Sequence, residues 1–489
     1  MRPLHSRRAL CLALAAGALS LTSGCDRGDG GTVEVLVIGD SPTVSDPSRE
    51  ALDRGDALLL ANTAQGLVRF DARGQVVPGL AETWNVSDDG LSYIFRLANT
   101  EWPSGRRITA EQIARLLRRA VAGGSKNRLT DALAAIDEVV PMTDRVLEIR
   151  LSSPRPELLQ LLAQPDLALV YQGHGSGPFA SEREGEAIRL SREVATPDEE
   201  ETRPETLRLR AASAKDAVEA FQAGKAHLVV GGTYADLPLA RAAELRRRAL
   251  QFDPASGLFG LLPVRGDGPL AEPELRQLLS QAINREALLA SLAVPGLAPR
   301  TTLLEPGLAN IPDPEPQAWA ATPLDERRPA LIAIARRMFG EAPPVIRVAL
   351  ADGPGSDLLF ERLVQDWRPL GIEVQRSERA ADADLRLLDE VAPSNSPAWF
   401  VRAFRCGIVE ICDEEADELI EAARSTQVVP QRSLLLFQAS RRIDAAQLFI
   451  PLAAPIRWSL VSPRISGFAG NRFAVHTLTG LEERLSREE

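Results

Sequence analysis

The sequence predicts a mixed α/β protein of two or three domains, on three observations. After a leader of 24 residues is set aside, about 465 of the 489 residues remain, several times the usual size of one domain. A strand pattern at Val345 to Ala351, a helix pattern at Ser356 to Trp367 and a second strand at Ile372 to Arg376 form a βαβ unit, which joins parallel strands. Residues 84 to 97 instead alternate as an antiparallel hairpin, with Leu91, Tyr93, Phe95 and Leu97 on one face and the turn Asp88-Asp89-Gly90 between the runs.

The remaining elements follow in order. VEVLVIG at 33 to 39, apolar apart from Glu34, reads as a first buried strand. Gly74 closes the turn Asp71-Ala72-Arg73-Gly74. Thr109 with Gln112 three residues on is a capping box, and the helix it opens carries Ile113, Leu116, Leu117, Ala120 and Val121 as one stripe before Gly123-Gly124. A strand from Arg145 to Leu151 precedes a helix from Arg155 to Leu162. Leu207 to Ala211, then a helix from Ala214 to Ala223, lead to the apolar run Leu228-Val229-Val230, with His227 at the strand edge. One helix is expected from Glu274 to Leu292, and the proline-dense stretch 310 to 330 reads as an extended surface connection. Asp413 to Arg424 and Gln431 to Ile443 are two late helices.

Composition excludes several functions. A net charge of −11 and the lack of any basic stripe argue against a nucleic-acid partner. The chain shows no triad order, paired-carboxylate motif, metal-ligand spacing or nucleotide loop, so an enzyme, a metal and a cofactor are all unexpected. His174-Gly175-Ser176-Gly177 is not a nucleophile elbow, because His174 and Pro178 stand where the flanking glycines would be.

Arg2, Arg7 and Arg8 followed by the apolar stretch Ala9 to Leu21 form a secretory leader, too short to span a bilayer. Leu21-Thr22-Ser23-Gly24-Cys25 resembles a bacterial lipobox, which makes Cys25 the lipidated first residue; plain secretion is the alternative. Asp26 then implies retention in the inner membrane, or merely opens the polar tether. Cys406 and Cys412 remain in an oxidising compartment, where a bond between them would pin a short loop. The alternative is two inert thiols.

Residues 66 to 112 read GLVRFDARGQVVPGLAETWNVSDDGLSYIFRLANTEWPSGRRITAEQ. Gly66, Asp71, Gly74, Pro78, Trp84, Asp89, Gly90, Tyr93, Phe95, Trp102, Gly105, Thr109 and Ala110 stand at the offsets typical of the extracytoplasmic solute-binding proteins of ABC importers, family 5, the peptide-binding group. Gly175-Ser176-Gly177-Pro178-Phe179, Ile450-Pro451-Leu452 and Gly467-Phe468-Ala469-Gly470-Asn471 resemble later segments of that family. The resemblance implies an α/β, bilobal periplasmic-binding-protein fold of type II: two mixed-sheet lobes joined by a hinge, with an extra subdomain in lobe I. It divides the chain into a leader (1–24), a tether (25–32), lobe I (33–254, with the extra subdomain at about 50–165), lobe II (255–462) and a return to lobe I (463–489).

The resemblance also implies a site between the lobes. In peptide-binding relatives an acidic residue of a "D-Y-x-x-P" segment pairs with the ligand's ammonium group, and Pro393 takes that place here. Asp389 and Glu390 just upstream either substitute for it or are solvated strand-end charges. Ser394, Asn395, Trp399 and Arg402 complete the expected lobe II wall, whereas Phe400, Trp84 and Trp102 read as core. In lobe I, Gln65 replaces the glutamate of the family's "E-G-L". The implied function is a lipid-anchored monomer at the periplasmic face of the inner membrane. It would capture a peptide or another small molecule for ABC permease subunits. An envelope sensor or peptide-holding protein without a transporter is the alternative.

Overall fold

A computed structural model describes residues 32–195, 202–340 and 342–483. The leader at 1–24, Cys25 and the tether at 26–31 lie outside the described residues.

Two mixed sheets carry the two lobes. The first has seven strands, in the order Leu250–Phe252, Arg457–Val461, Leu228–Thr233, Val33–Ile38, Thr202–Ala212, Ala187–Ala195, Ala180–Glu184. Val33–Ile38 is parallel to both neighbours and buried along most of its length, which explains why every residue but Glu34, the one half-buried position, is apolar. The second sheet orders Glu373–Ser377, Val345–Ala349, Leu385–Val391, Gly257–Pro263 and Ile450–Ala453. Its first two strands are parallel and joined through the helix Pro354–Trp367, the expected βαβ unit.

The extra subdomain of lobe I is a four-stranded antiparallel sheet, Ala81–Val86, Ser92–Leu97, Val146–Leu151 and Ile136–Thr143. Tyr93, Phe95 and Leu97 alternate inward, and the helix Ala110–Val121 lays Ile113, Ala114 and Leu117 on them. Burial of Phe95, Leu97, Ile113 and Leu117 contributes roughly 1.5–3 kcal/mol each. The capping box forms as read: Thr109 Oγ1 accepts from the Gln112 amide, and Gln112 Oε1 accepts from the Thr109 amide, both at 3.4 Å. Trp102 is core, its Nε1 donating to Gln112 Oε1 at 3.1 Å. Phe400 is likewise fully buried.

The chain passes between the two large sheets at 253–256 and again at 454–456. The two crossings are tied together, the Asp253 amide donating to the Arg457 carbonyl at 3.0 Å.

Three expectations need correction. Arg457–Val461 was expected in lobe II (255–462), but it is hydrogen-bonded between Leu228–Thr233 and Leu250–Phe252 in the lobe I sheet. Lobe I therefore resumes after the second crossing and not at 463. The single helix expected at 274–292 is two, Pro273–Ala282 and Arg285–Leu292. Asn284 breaks it by capping the second helix, accepting from the Ala287 amide at 3.0 Å. The stretch 310–330 is not wholly extended, because the helix Leu324–Phe339 begins within it. Pro329 stands inside that helix, one turn and a half from its start, and removes the hydrogen bond its amide would have made to the Asp325 carbonyl.

Candidate functional site

A cavity of about 640 Å3 opens between the lobes. The lobe I side is built from the start of the helix Arg54–Thr63, the strand Leu228–Thr233 and the returning strand with Arg457 and Trp458. Gly232 allows the tight floor: a Cβ placed there would lie 2.1 Å from the Trp458 indole. The lobe II side is the end of the strand Leu385–Val391, the loop to Pro393, and Trp399 with Arg402 from the helix Pro397–Arg402.

Asp389 and Glu390 both line this cavity, but they differ in their partners. Arg457 Nη1 donates to Asp389 Oδ1 and Oδ2 at 2.8 and 3.0 Å, and Nη2 to the Asp389 carbonyl at 3.1 Å. Asp389 thus already holds a cation from the opposite lobe. Glu390 is exposed and makes no ion pair among the described residues. Arg402 is held over the Trp399 ring at 5.2 Å, and its Nε is buried with no hydrogen-bond partner among the described residues. Burial lowers the Arg402 pKa, and the field of Glu390 opposes that shift.

At the first crossing, Asp253 and His476 add a titratable pair to the wall, His476 Nε2 lying 3.3 Å from Asp253 Oδ2. Their side chains are only 3% and 7% exposed. Burial pushes Asp253 up to about 7, and burial brings His476 down to about 4. Near neutral pH the imidazole is therefore uncharged and the contact is not an ion pair.

A second, smaller cavity of about 240 Å3 lies between the extra subdomain and the helices of lobe II. It shares Trp399 and Arg402 with the larger one, and Ser394 lines it. Around it the lobes touch directly. Glu157 Oε1 accepts from Arg432 Nη2 at 2.8 Å and from Ser396 Oγ at 2.9 Å, and Gln164 Nε2 donates to the Pro393 carbonyl at 2.7 Å.

Two expected wall residues are elsewhere. The Gln65 side chain donates to the Ser176 carbonyl at 2.6 Å, pinning the loop that returns from the extra subdomain, and lines neither cavity. Asn395 lines neither, and its backbone amide donates to Gln160 Oε1 at 2.9 Å. Cys406 and Cys412 are joined by a disulfide beside the lobe II helices. His227 Nδ1 accepts from the Glu34 amide at 3.0 Å, a strand-edge role away from the cleft. Sequence reasoning missed Arg457, Asp253, His476, Glu157 and Arg432. Arg457 carried the best available signal, the one charge in the mostly apolar stretch Ile450 to Val461.

Comparison with known proteins places this geometry among relatives. The family model described as bacterial extracellular solute-binding proteins, family 5 Middle, matches residues 75–392. The chain is similar to the probable di/tripeptide-binding protein 5 of Pseudomonas aeruginosa, 24% identical over 479 residues, 83% of this chain and 87% of that one. The dipeptide-binding protein of Pseudomonas aeruginosa is 22% identical over 511 residues, covering 90% of this chain and 93% of the relative. Among solved structures, Haemophilus influenzae OppA in complex with RPPGFSPFR superposes with a TM-score of 0.77 at 15% identity, covering 92% of this chain and 99% of that chain. The murein tripeptide binding protein MppA of Escherichia coli gives 0.78 at 18% identity, covering 93% and 99%.

Proposed function

The chain belongs to the bacterial extracellular solute-binding proteins of family 5, and from that premise we propose that it captures a peptide or peptide-like solute between its lobes and delivers it to an ABC permease. The observation that carries this reading is the inter-lobe cavity. Its volume of about 640 Å3 falls in the range of small-ligand sites, and both lobes contribute walls. Its lining mixes apolar surface such as Leu58, Trp399 and Phe473 with a few charged groups. Glu390, exposed and without an ion pair among the described residues, is the group suited to a ligand ammonium. Asp389 is not, because Arg457 already neutralises it. Likeness to relatives named for di- and tripeptides agrees with a peptide-sized cargo.

Capture is by closure: the lobes swing about 253–256 and 454–456 and trap the solute, without chemistry on it. The leader and the lipobox-like run ending at Cys25 support a mature chain tethered by lipid at the periplasmic face of the inner membrane. No helix among the described residues is long and apolar enough to cross a membrane. We assign the working form as a monomer that meets the permease with both lobes closed.

The test is to incubate the purified protein with a mixed peptide pool and identify the bound fraction by mass spectrometry. A defined solute at one per chain supports the reading. An empty cleft, with no thermal shift across peptides, amino sugars and chelated metals, would sink it. Pro393, at the position where relatives carry an acidic residue, favours a second reading as an envelope sensor. Failure of solute-loaded protein to stimulate any permease ATPase would select that alternative.

A further inference from the structure

The smaller cavity has an unbalanced charge. Five arginines (155, 402, 405, 424 and 432) and three carboxylates (Asp131, Glu157 and Glu421) line it. The carboxylates are already engaged. Glu157 holds Arg432 at 2.8 Å, Asp131 holds Arg424 at 2.9 Å and Arg405 at 3.4 Å, and Glu421 lies 3.6 and 3.9 Å from the same two arginines. Arg155 and Arg402 are left over. Arg155 is 8% exposed and, among the described residues, donates only to the carbonyls of Pro154 and Arg424, at 2.9 and 3.1 Å. Arg402 stacks on Trp399 and buries an Nε that has no partner among the described residues. Burial, with repulsion from Arg432, lowers Arg155 to about 10, so it remains a cation at neutral pH.

Two guanidinium groups that form no ion pair among the described residues are costly to enclose in a cavity walled by both lobes, even with Glu157 acting on Arg155 and Glu390 on Arg402 from a distance. We propose that this cavity is an anion-accepting side pocket of the cleft, and that the captured solute carries a carboxylate-class group that enters it between Arg155 and Arg402. The proposal rests on the solute-receptor reading above. A volume of about 240 Å3 holds roughly eight waters, enough for an acidic side chain but not for a second solute. The planar fork of arginine suits a carboxylate with two parallel hydrogen bonds. Trp399 and Arg402 line both cavities, so a solute lying in the larger one can extend its acidic group into the smaller. Because Arg155 comes from lobe I and Arg402 from lobe II, the anion binds both together only when the lobes close. Recognition of the charge is thereby linked to closure.

The test is calorimetric titration of the full mature chain with the matched dipeptides Ala-Glu against Ala-Gln and Glu-Ala against Gln-Ala. Thermal shifts with succinate and inorganic phosphate provide the free-anion arm. At least one acidic dipeptide should bind roughly tenfold to a hundredfold more tightly than its amide. Arg402→Gln and Arg155→Gln should each bring that ratio close to one, with Arg402→Lys recovering part of it. The ratio is internal to each variant, so a general loss of affinity does not obscure it. Equal binding of acid and amide, with no stabilisation by either anion, overturns the proposal while leaving the receptor reading intact. If no dipeptide binds, the receptor reading fails for this class and the anion arm decides the pocket alone. Stabilisation by succinate that Arg402→Gln abolishes supports a free-anion pocket and removes the clause on the solute; no stabilisation removes both.

Discussion

Replacing Glu157 by glutamine should weaken solute capture while leaving the unliganded protein almost as stable as before. The carboxylate sits just ahead of the helix Leu158–Leu162 in lobe I, and its partners Arg432 and Ser396 belong to lobe II. With the lobes in contact, as in this structure, the two charged side chains are 9% and 8% exposed, so solvent screens them little. When the lobes separate, both return to water and the pair contributes nothing. The cost of Glu157→Gln therefore falls on the closed state alone. Removing one partner of a buried pair costs about 3–5 kcal/mol. Glutamine keeps an acceptor for the Ser396 hydroxyl, which argues for the lower end, about 3 kcal/mol or roughly a 150-fold rise in Kd. The assay is calorimetry with a solute recovered from the peptide pool, alongside Tm of the unliganded protein and its radius of gyration by small-angle scattering. The double variant Glu157→Gln with Arg432→Met should recover much of the loss, because no bare charge is then buried. A Kd within threefold of wild type would refute the latch. So would an unliganded Tm that falls in step with affinity, since the pair would then be ordinary packing within one folded unit.

Further predictions concern the hinge, the cleft floor and the lobe II loop. Asp253 is raised from 3.8 to about 7 and His476 lowered from 6.5 to about 4. Between about pH 4 and 6.5 the native pair holds its proton on Asp253 and the unfolded chain holds it on the histidine, so their linkage effects cancel. Asp253→Asn leaves the depressed histidine alone, and its Tm relative to wild type should rise with pH over that window. His476→Asn leaves the raised carboxyl, whose stabilisation is full below about pH 4 and lost on passing pH 7; parallel Tm profiles for both variants would contradict the pairing. Gly232→Ala should destabilise by at least about 1–3 kcal/mol and abolish capture together, because its Cβ would meet the buried Trp458 ring at 2.1 Å. Denaturant unfolding reads the first effect and titration the second. Cys406→Ser should cost about 2 kcal/mol, the loop-closure value for so short a loop. A reductant should lower the wild-type Tm by the same amount and leave the variant unchanged.

Local pattern made much of the architecture legible. The alternation from Leu91 to Leu97, the Thr109 and Gln112 box and the run from Val33 to Ile38 each record their surroundings within a few residues. Asn284 carried a readable cap signal, but the apolar stripe through Leu278, Leu279 and Leu288 continues across it and masks the break. The helix Leu324–Phe339 was hidden by the prolines ahead of it and by Pro329 within it. The return strand Arg457–Val461 reads equally well in either sheet, because its neighbours are decided by tertiary pairing and not by its own sequence.

The site was legible on one side only. Asp389, Glu390, Trp399 and Arg402 lie within one short segment that the family resemblance marks, and all four line the larger cavity. The groups they meet come from distant parts of the chain. Arg457 is 68 residues from Asp389, and Arg432 is 275 from Glu157, with no spacing rule to link them. Gln65 and Asn395 sit close in sequence to cleft residues, yet their hydrogen bonds serve the loops that hold the walls.

A solute enclosed by walls from both lobes protects both from solvent, and hydrogen exchange with and without a solute recovered from the peptide pool reads this directly. Exchange should slow at the start of the helix Arg54–Thr63 and around Gly231 and Gly232 in lobe I. It should slow equally from Asp389 to Arg402 in lobe II, and at 253–256 where the chain crosses. Slowed exchange on one lobe alone, or none on either at saturating solute, would contradict enclosure by both.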